Sequence, residues 1–220
     1  MLREVAASDL DQVVQVHCAA FPRSAMTKLG KEAIKRYYLW QLIGPYETYT
    51  TGAWADSRLM GFCFGGIHPT AISGFLAKNK GFLAWRLLTH PWLVANPVFR
   101  DRLTQGLKIL TDHTPRRSLP QAVAPAKRPF DILSIAVHPD AQGQGIGKLL
   151  LARAEQQAAQ NDFHVMTLFV NVDNEQAIHF YERCSWQRSN HRGVWRGTMV
   201  KWLKRDDAQA TVEHSGSGVL

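Results

Sequence analysis

The run Val137-His138-Pro139-Asp140-Ala141-Gln142-Gly143-Gln144-Gly145-Ile146-Gly147-Lys148 carries the first chemical signal of the chain. A strand halts at a proline, and glycines at alternate positions then lead into a helix. Without a Cβ the backbone can approach an anion closely, successive N–H groups can converge on one concavity, and the helix start adds its partial positive charge. Such a turn suits phosphate. It departs from the nucleoside-triphosphate loop, because Gln142 stands where a glycine is needed and Leu149 follows Lys148 where Ser or Thr would hold magnesium. It departs equally from the dinucleotide fingerprint, whose third glycine position is taken by Lys148. A tight strand-to-helix connection without a ligand is the alternative reading.

Written as Gln142-x-x-Gly145-x-Gly147, the turn resembles the Gln/Arg-x-x-Gly-x-Gly/Ala motif of the GCN5-related N-acetyltransferase (GNAT) superfamily. A second stretch, Asn174-Glu175-Gln176-Ala177-Ile178-His179-Phe180-Tyr181, resembles the Asn-x-x-Ala-x-x-Phe-Tyr helix found at this place in the family. The resemblance covers residues 130 to 203 well and residues 1 to 68 by element order. One departure is local: Ser185-Trp186 stands where the family has Gly-Phe, which removes the glycine at the helix end. The resemblance implies an α/β fold with a mixed, mainly antiparallel GNAT-like sheet, a central splayed parallel strand pair and helices on both faces. It also implies acetyl-CoA as cosubstrate. Its pyrophosphate would lie on the backbone of Gln142, Gly143, Gln144, Gly145, Ile146, Gly147 and Lys148. Its pantetheine arm would run as a pseudo-strand against the main chain of Ile135 and Val137, with Asn174 bonding that arm or ordering the helix start.

The activity so implied is transfer of the acetyl group to a primary amine by direct attack on the thioester. A neutral amine must be placed against the carbonyl, a proton removed from its ammonium form, the oxyanion stabilised and the thiolate protonated. Tyr181 matches the position from which family members supply that last proton, a core tyrosine being the structural alternative. Asp131 falls where histone-acetylating members carry a glutamate, and a carboxylate on an apolar strand suits proton removal near neutrality. His68, at a strand end, is a second candidate base, and water-relayed deprotonation needs neither. Cys184 has no legible histidine partner, and His164 and His179 lack metal-ligand spacing, so no metal is expected. A small-molecule amine or amino sugar is the favoured acceptor, with a protein or peptide amine, or a non-catalytic CoA-binding regulator, left open.

These residues need a scaffold. Met1 to Val5 reads as a strand, Ser8-Asp9 as the cap of an amphipathic helix ending at Phe21-Pro22, and Lys31 to Leu42 as a second helix. Tyr49 to Trp54 and Leu59 to Ile67 read as a hairpin about Asp56-Ser57. Phe130 to Val137 is nearly continuous apolar chain, as expected of a strand buried on both faces. A helix from Ile146 to Ala159, a strand from Phe163 to Val170, a helix from Asp173 to Cys184 and strands at 186–189 and 198–203 complete a domain spanning 1–205. Residues 206–220 read as a disordered tail.

The chain has 220 residues and a net charge of +8. Between Pro69 and Pro129 ten Lys or Arg face two Asp, so this inserted segment carries the whole net charge. Helices are predicted around Phe82-Leu88 and Val98-Leu110, and Phe75, Phe82, Trp85, Trp92 and Phe99 are as easily the buried side of the inserted helices as exposed aromatics for stacking bases. Such a segment favours an anionic acceptor or an anionic membrane surface, and disfavours nucleic acid for want of a recognised module. Three separated cysteines encode neither disulfide framework nor zinc knuckle, and no signal peptide or membrane span is legible, so the reading is cytoplasmic. A homodimer is compatible with the sequence.

Overall fold

Runs rich in aromatic, β-branched and small residues, buried almost continuously, form β2 (Glu47–Ala55) and β3 (Arg58–Ile67), a hairpin turned by Asp56 and Ser57 with φ of 46° and 66°. Two successive positive φ values give the turn the twist that matches its flanking strands. The computed structural model describes residues 1–68, 71–92, 128–191 and 193–203. Around the hairpin it sets β1 (Leu2–Arg3), β4 (Phe130–Val137), β5 (Val165–Phe169), β6 (Gln187–His191) and β7 (Val194–Trp202). The sheet order is β1-β2-β3-β4-β5-β7-β6, antiparallel throughout except for the parallel pair β4–β5.

That pair is short. Its register runs Phe130↔Met166, Asp131↔Thr167 and Ile132↔Leu168, and then stops, although β4 continues to Val137 against β3. The cause is a bulge: Phe64 pairs with Ser134 and Gly65 with Ile132, so Leu133 is the extra residue. A bulge bends its strand and reverses which face later side chains occupy. Phe130 and Ile132 accordingly lie in the core under one face, and beyond the bulge Ile135 and Val137 pack there, while Ala136 belongs to the opposite core.

Helices cover both faces. On one side α1 (Leu10–Ala20) and α3 (Lys31–Ile43) bring Val13, Val14, Ile34 and Tyr38 against Phe62 and Phe64. On the other, α6 (Ile146–Gln160) and α7 (Glu175–Arg183) bring Leu150, Leu151, Ile178 and Tyr181 against Ile132, Met166 and Leu168. The short α2 (Ala25–Leu29) was not legible in the sequence, since five residues are too few to display a period. Ser24 caps it by accepting from the Thr27 N–H at 3.1 Å, and Gly30, at φ 101°, ends it.

Within the insertion, α4 (Ala71–Lys78) and α5 (Lys80–Thr89) lie against α3 and α2. The helix expected around 82–88 falls inside α5, α4 was not anticipated, and the one expected at 98–110 lies outside the described residues, as does the expected tail. Phe75 is buried and Phe82 packs under the Arg36 guanidinium, as the buried-side alternative has it, whereas Trp85 and Trp92 are 66% and 63% exposed. Helical spacing explains Trp85: turning Phe82, Leu83 and Leu87 toward Leu29 and Ala33 points it outward. Cys18, Cys63 and Cys184 are free thiols, and no helix among the described residues is long and apolar enough to cross a membrane.

Two imidazoles are buried in this fold, and desolvation pulls both His17 and His68 down from 6.5 to about 4. The unfolded chain therefore binds more protons than the folded one between those values, and stability must rise with pH across that window. Urea denaturation followed from pH 7 to pH 4.5 is expected to show stability falling by on the order of 2–3 kcal/mol per imidazole. A flat profile would mean that neither ring is held neutral.

Candidate functional site

The glycine turn sits where β4 hands over to α6. Pro139–Ala141 form one 3-10 turn, and Gln142 fastens it by donating from Nε2 to the Val137 carbonyl at 3.3 Å. Gln144 donates likewise to the Asp140 carbonyl at 3.1 Å. Gly143 and Gly145 take φ of 77° and 78°, and a Cβ at either would meet nothing within 4 Å. The space that the missing side chains leave is therefore open. Backbone pairing at the helix start begins with Leu149 N–H to the Gly145 carbonyl, and among the described residues the N–H groups of 143 to 148 have no hydrogen-bond partner. No acidic residue stands in the first turn of α6, where Lys148 is exposed. Six unpaired donors, a helix terminus and open space together favour an anion.

The gap beyond Ile132 and Leu168 continues from this turn. The His138 N–H donates to the Met60 carbonyl at 2.8 Å, so His138 and, by alternation, Ala136 direct their backbone groups at β3. Ile135 and Val137 must then direct theirs away from β3, into the gap. An extended ligand lying there would find strand-like donors and acceptors on its β4 side.

Tyr181 approaches from the α7 face. It is 8% exposed, its ring packs with Phe180 and Trp186, and burial, with the nearby thiols of Cys63 and Cys184, raises its pKa above the usual phenol range. Tyr181 shares one core with Cys63 and with Ile135, the residue Cys63 pairs with on the strand segment bordering the gap. Asn174 caps α7, accepting from the Ala177 N–H at 3.1 Å through Oδ1. Phe180 lies 3.4 Å from where a Gly147 Cβ would be, which holds the starts of α6 and the body of α7 together.

The opposite face carries a polar row across four strands. Thr48 pairs with Gly66, Gly66 with Asp131, and Asp131 with Thr167, one residue before the strands part. The Thr167 hydroxyl donates to Asp131 Oδ1. His68 lies over the bare Gly66, its Cε1 3.0 Å from a hypothetical Cβ, and its Nε2 is 2.8 Å from Thr48 Oγ1. Because Thr48 donates its one hydroxyl proton to the Gln41 carbonyl at 2.7 Å, His68 Nε2 must be the donor to Thr48. Both sequence-derived base candidates thus share one face, the one opposite Tyr181. Thr167, Thr48 and Gln41 were not singled out from sequence. Among the described residues, no cluster of His, Cys, Asp or Glu could hold a metal ion.

Comparison with known proteins agrees with this geometry. Residues 115–186 match the Acetyltransferase (GNAT) family. A mycothiol acetyltransferase from Rhodococcus jostii is 34% identical over 58 residues, 26% of this chain and 19% of that one. An uncharacterized N-acetyltransferase, ycf52, from the alga Gracilaria tenuistipitata var. liui is 39% identical over 51 residues, 23% of this chain and 26% of that one. The chain thus spans only about a fifth to a quarter of the length of these relatives. The solved PaiA N-acetyltransferase of Thermoplasma acidophilum, a complex with coenzyme A, superposes at a TM-score of 0.55 with 15% identity, covering 92% of this chain and 98% of that one. Residues 115–186 are thus similar to the GNAT acetyltransferase family, and the chain has a GNAT-like fold.

The missing family glycine has a structural consequence. At the end of α7 the Trp186 N–H reaches the Tyr181 carbonyl and the Ser185 N–H the Glu182 carbonyl, both at 3.0 Å, a closing pair that forces Ser185 to φ 65°. A non-glycine residue in that region costs about 1–2 kcal/mol, of which glycine's looser unfolded state takes back up to about 1. Ser185→Gly is expected to raise Tm by roughly 1–4 °C in differential scanning calorimetry; a lower Tm would show that the serine side chain contributes something the glycine cannot replace.

Proposed function

We propose that this chain is an acetyl-CoA-dependent N-acetyltransferase that transfers an acetyl group to a primary amine, a small-molecule amine or amino sugar being favoured. The observation that carries the reading is the row of six unpaired N–H groups opening onto empty space at the start of α6. Pyrophosphate would accept from Gly143 to Lys148, with Gln142 holding the turn in place. The pantetheine arm would take the backbone of Ile135 and Val137, and Asn174 would order the start of α7. The proposed location is cytoplasmic.

The thioester carbonyl would then lie in the gap, between the phenol on one face and the carboxylate on the other. An amine entering from the α1 and α3 side meets Asp131, which takes a proton from the ammonium and leaves the nitrogen lone pair free to attack. Burial keeps the Tyr181 phenol protonated well above neutrality, so it is a donor at working pH and gives its proton to the departing thiolate. Nearby charge also enters the proposal: residues 69–129 carry +8 and leave the sheet at the end where Asp131 lies, which suits an anionic acceptor.

CoA release, followed with a thiol reagent against a polyamine, an amino sugar and a lysine-containing peptide, is expected to identify an amine among the first two. Binding of acetyl-CoA without release against any amine would favour a non-catalytic CoA module. A Cβ at Gly145 would meet no protein atom within 4 Å, although φ 78° strains any side chain there; Gly145→Val, shown to be folded by circular dichroism, fills the anion space and is expected to abolish acetyl-CoA binding in calorimetry. Tyr181→Phe is expected to slow turnover by about 10²–10⁴ with acetyl-CoA affinity nearly unchanged. Parent-like turnover, with chemistry limiting, would leave Tyr181 a core residue.

A further inference from the structure

Ser134 is the one hydroxyl in the apolar run of β4, and it lies just past the bulge, in the part of the strand that β5 has left. Its Oγ is 2.9 Å from Tyr38 Oη, which is 2.8 Å from His17 Nδ1. His17 Nε2 is 3.4 Å from Ser24 Oγ, the longest step. Ser24 donates to Thr27 Oγ1 at 2.9 Å, and Thr27 donates to the Phe21 carbonyl at 2.8 Å. Five side chains thus link the open gap to the turn between α1 and α2, through a core in which Tyr38 is wholly buried.

The direction of every proton follows from the far end. A carbonyl can only accept, so Thr27 spends its proton on Phe21 and accepts from Ser24. Ser24 has then spent its own and accepts from His17 Nε2–H. That tautomer leaves Nδ1 as an acceptor, so Tyr38 donates to it, and Ser134 in turn donates to Tyr38. All donors point away from the gap, and the lone pairs of Ser134 Oγ are left as the entrance.

We propose that Ser134, Tyr38 and His17 form a proton relay that carries a proton from the acceptor nitrogen to solvent at the turn between α1 and α2. The proposal rests on the acetyltransferase reading above. In that reaction the nitrogen loses two protons: one before attack, and one from the adduct formed when its lone pair bonds to the carbonyl carbon. The second is the relay's. As the adduct N–H proton passes to Ser134 Oγ, the Ser134 proton passes to Tyr38 Oη and the Tyr38 proton to His17 Nδ1. The electron pair of that N–H bond stays on nitrogen, the carbonyl re-forms, and the carbon–sulfur pair leaves with sulfur, which takes its proton from Tyr181. His17, now an imidazolium, releases its Nε2 proton toward Ser24 and water. Of the two protons the nitrogen loses, Asp131 gives one up to solvent and the relay delivers the other; Tyr181 regains its proton from solvent, so one proton is released net.

Burial suits each member to this task. It raises the Tyr38 pKa, so the phenol stays protonated at rest, and it holds His17 down to about 4, so the ring starts neutral and does not retain what it receives. A nitrogen bonded to the adduct carbon is a far stronger acid than a free ammonium, so a weakly basic imidazole suffices to pass its proton on.

The test uses the full chain with whichever of the polyamine or amino sugar releases CoA faster. Single-turnover rates for Tyr38→Phe and Ser134→Ala are expected to fall by about tenfold or more, with KM for both substrates within about twofold, while Ser134→Thr retains the rate. In mixtures of light and heavy water the parent's rate should bend with deuterium fraction, as several protons in flight require, and the Tyr38→Phe line should straighten. Nitrogen-15 spectra of the unliganded protein should find His17 neutral with the proton on Nε2. Folded variants at the parent rate, an unaltered deuterium dependence, or a proton on His17 Nδ1 would each overturn the relay and leave the acetyltransferase reading standing. Failure of the parent to release CoA from any amine would instead overturn that reading, and the relay with it.

Discussion

The site depends on two parallel strands that stop pairing. Backbone groups in a sheet interior are normally spent on neighbouring strands, because a buried unpaired N–H or C=O is costly. Here the extra residue Leu133 bends β4 after Ile132, and the backbone of Ile135 and Val137 faces a gap at the centre of the sheet, the Val137 carbonyl accepting there from the Gln142 side chain. The same bulge reverses the faces of the residues that follow. Ser134 would otherwise point at α7, and Asp131 and Ser134 would lie on opposite sides; with the bulge both face the helices α1 and α3. One inserted residue therefore makes the opening and sets which chemistry lines each side of it.

The glycine turn completes the opening at its other end. Gly143 and Gly145 supply left-handed backbone and, more usefully, nothing where side chains would stand, so six donors remain uncovered at the start of α6. The protein offers no carboxylate in that first helical turn to compete with an incoming anion. Gln142 and Gln144 are spent holding the loop in shape rather than reaching outward, which fits a site built from main chain.

How much of this was legible depended on whether a feature was local. The glycine spacing, the Asn-to-Tyr helix and the continuous apolar strand are read within single windows, and each lies where it was expected. The hairpin at Asp56-Ser57 was legible because turn residues announce themselves. The bulge at Leu133 was not, since an extra residue in a uniformly apolar strand has no signature until the partner's register is known. Tyr38 and Ser134 carry no local signal either: one reads as a helix's apolar face and the other as a polar slip in a strand, and only tertiary contact joins them across 96 residues. Trp85 points outward beside the packed Phe82 and Leu87, a difference that aromatic content alone does not carry, since it says that a helix buries a face and not which one.

In the proposed reaction acid and base chemistry have to coexist near one carbonyl without neutralising each other, and the sheet keeps the two candidate groups apart. Tyr181, held in the α7 core, is kept protonated by burial; Asp131 and its donor Thr167 sit across the sheet plane, one pair before the strands part. A direct bond between phenol and carboxylate would tie both up in the resting state. With the strand pair between them, the two groups can meet only through an atom placed in the gap, so the arrangement becomes reactive when a thioester bridges it. On this proposal the covering helices act as more than packing: α7 sets the donor, while α3 and α1 carry Tyr38 and His17 beneath Ser134, where their hydrogen bonds would give protons released on the far side a path out through the core.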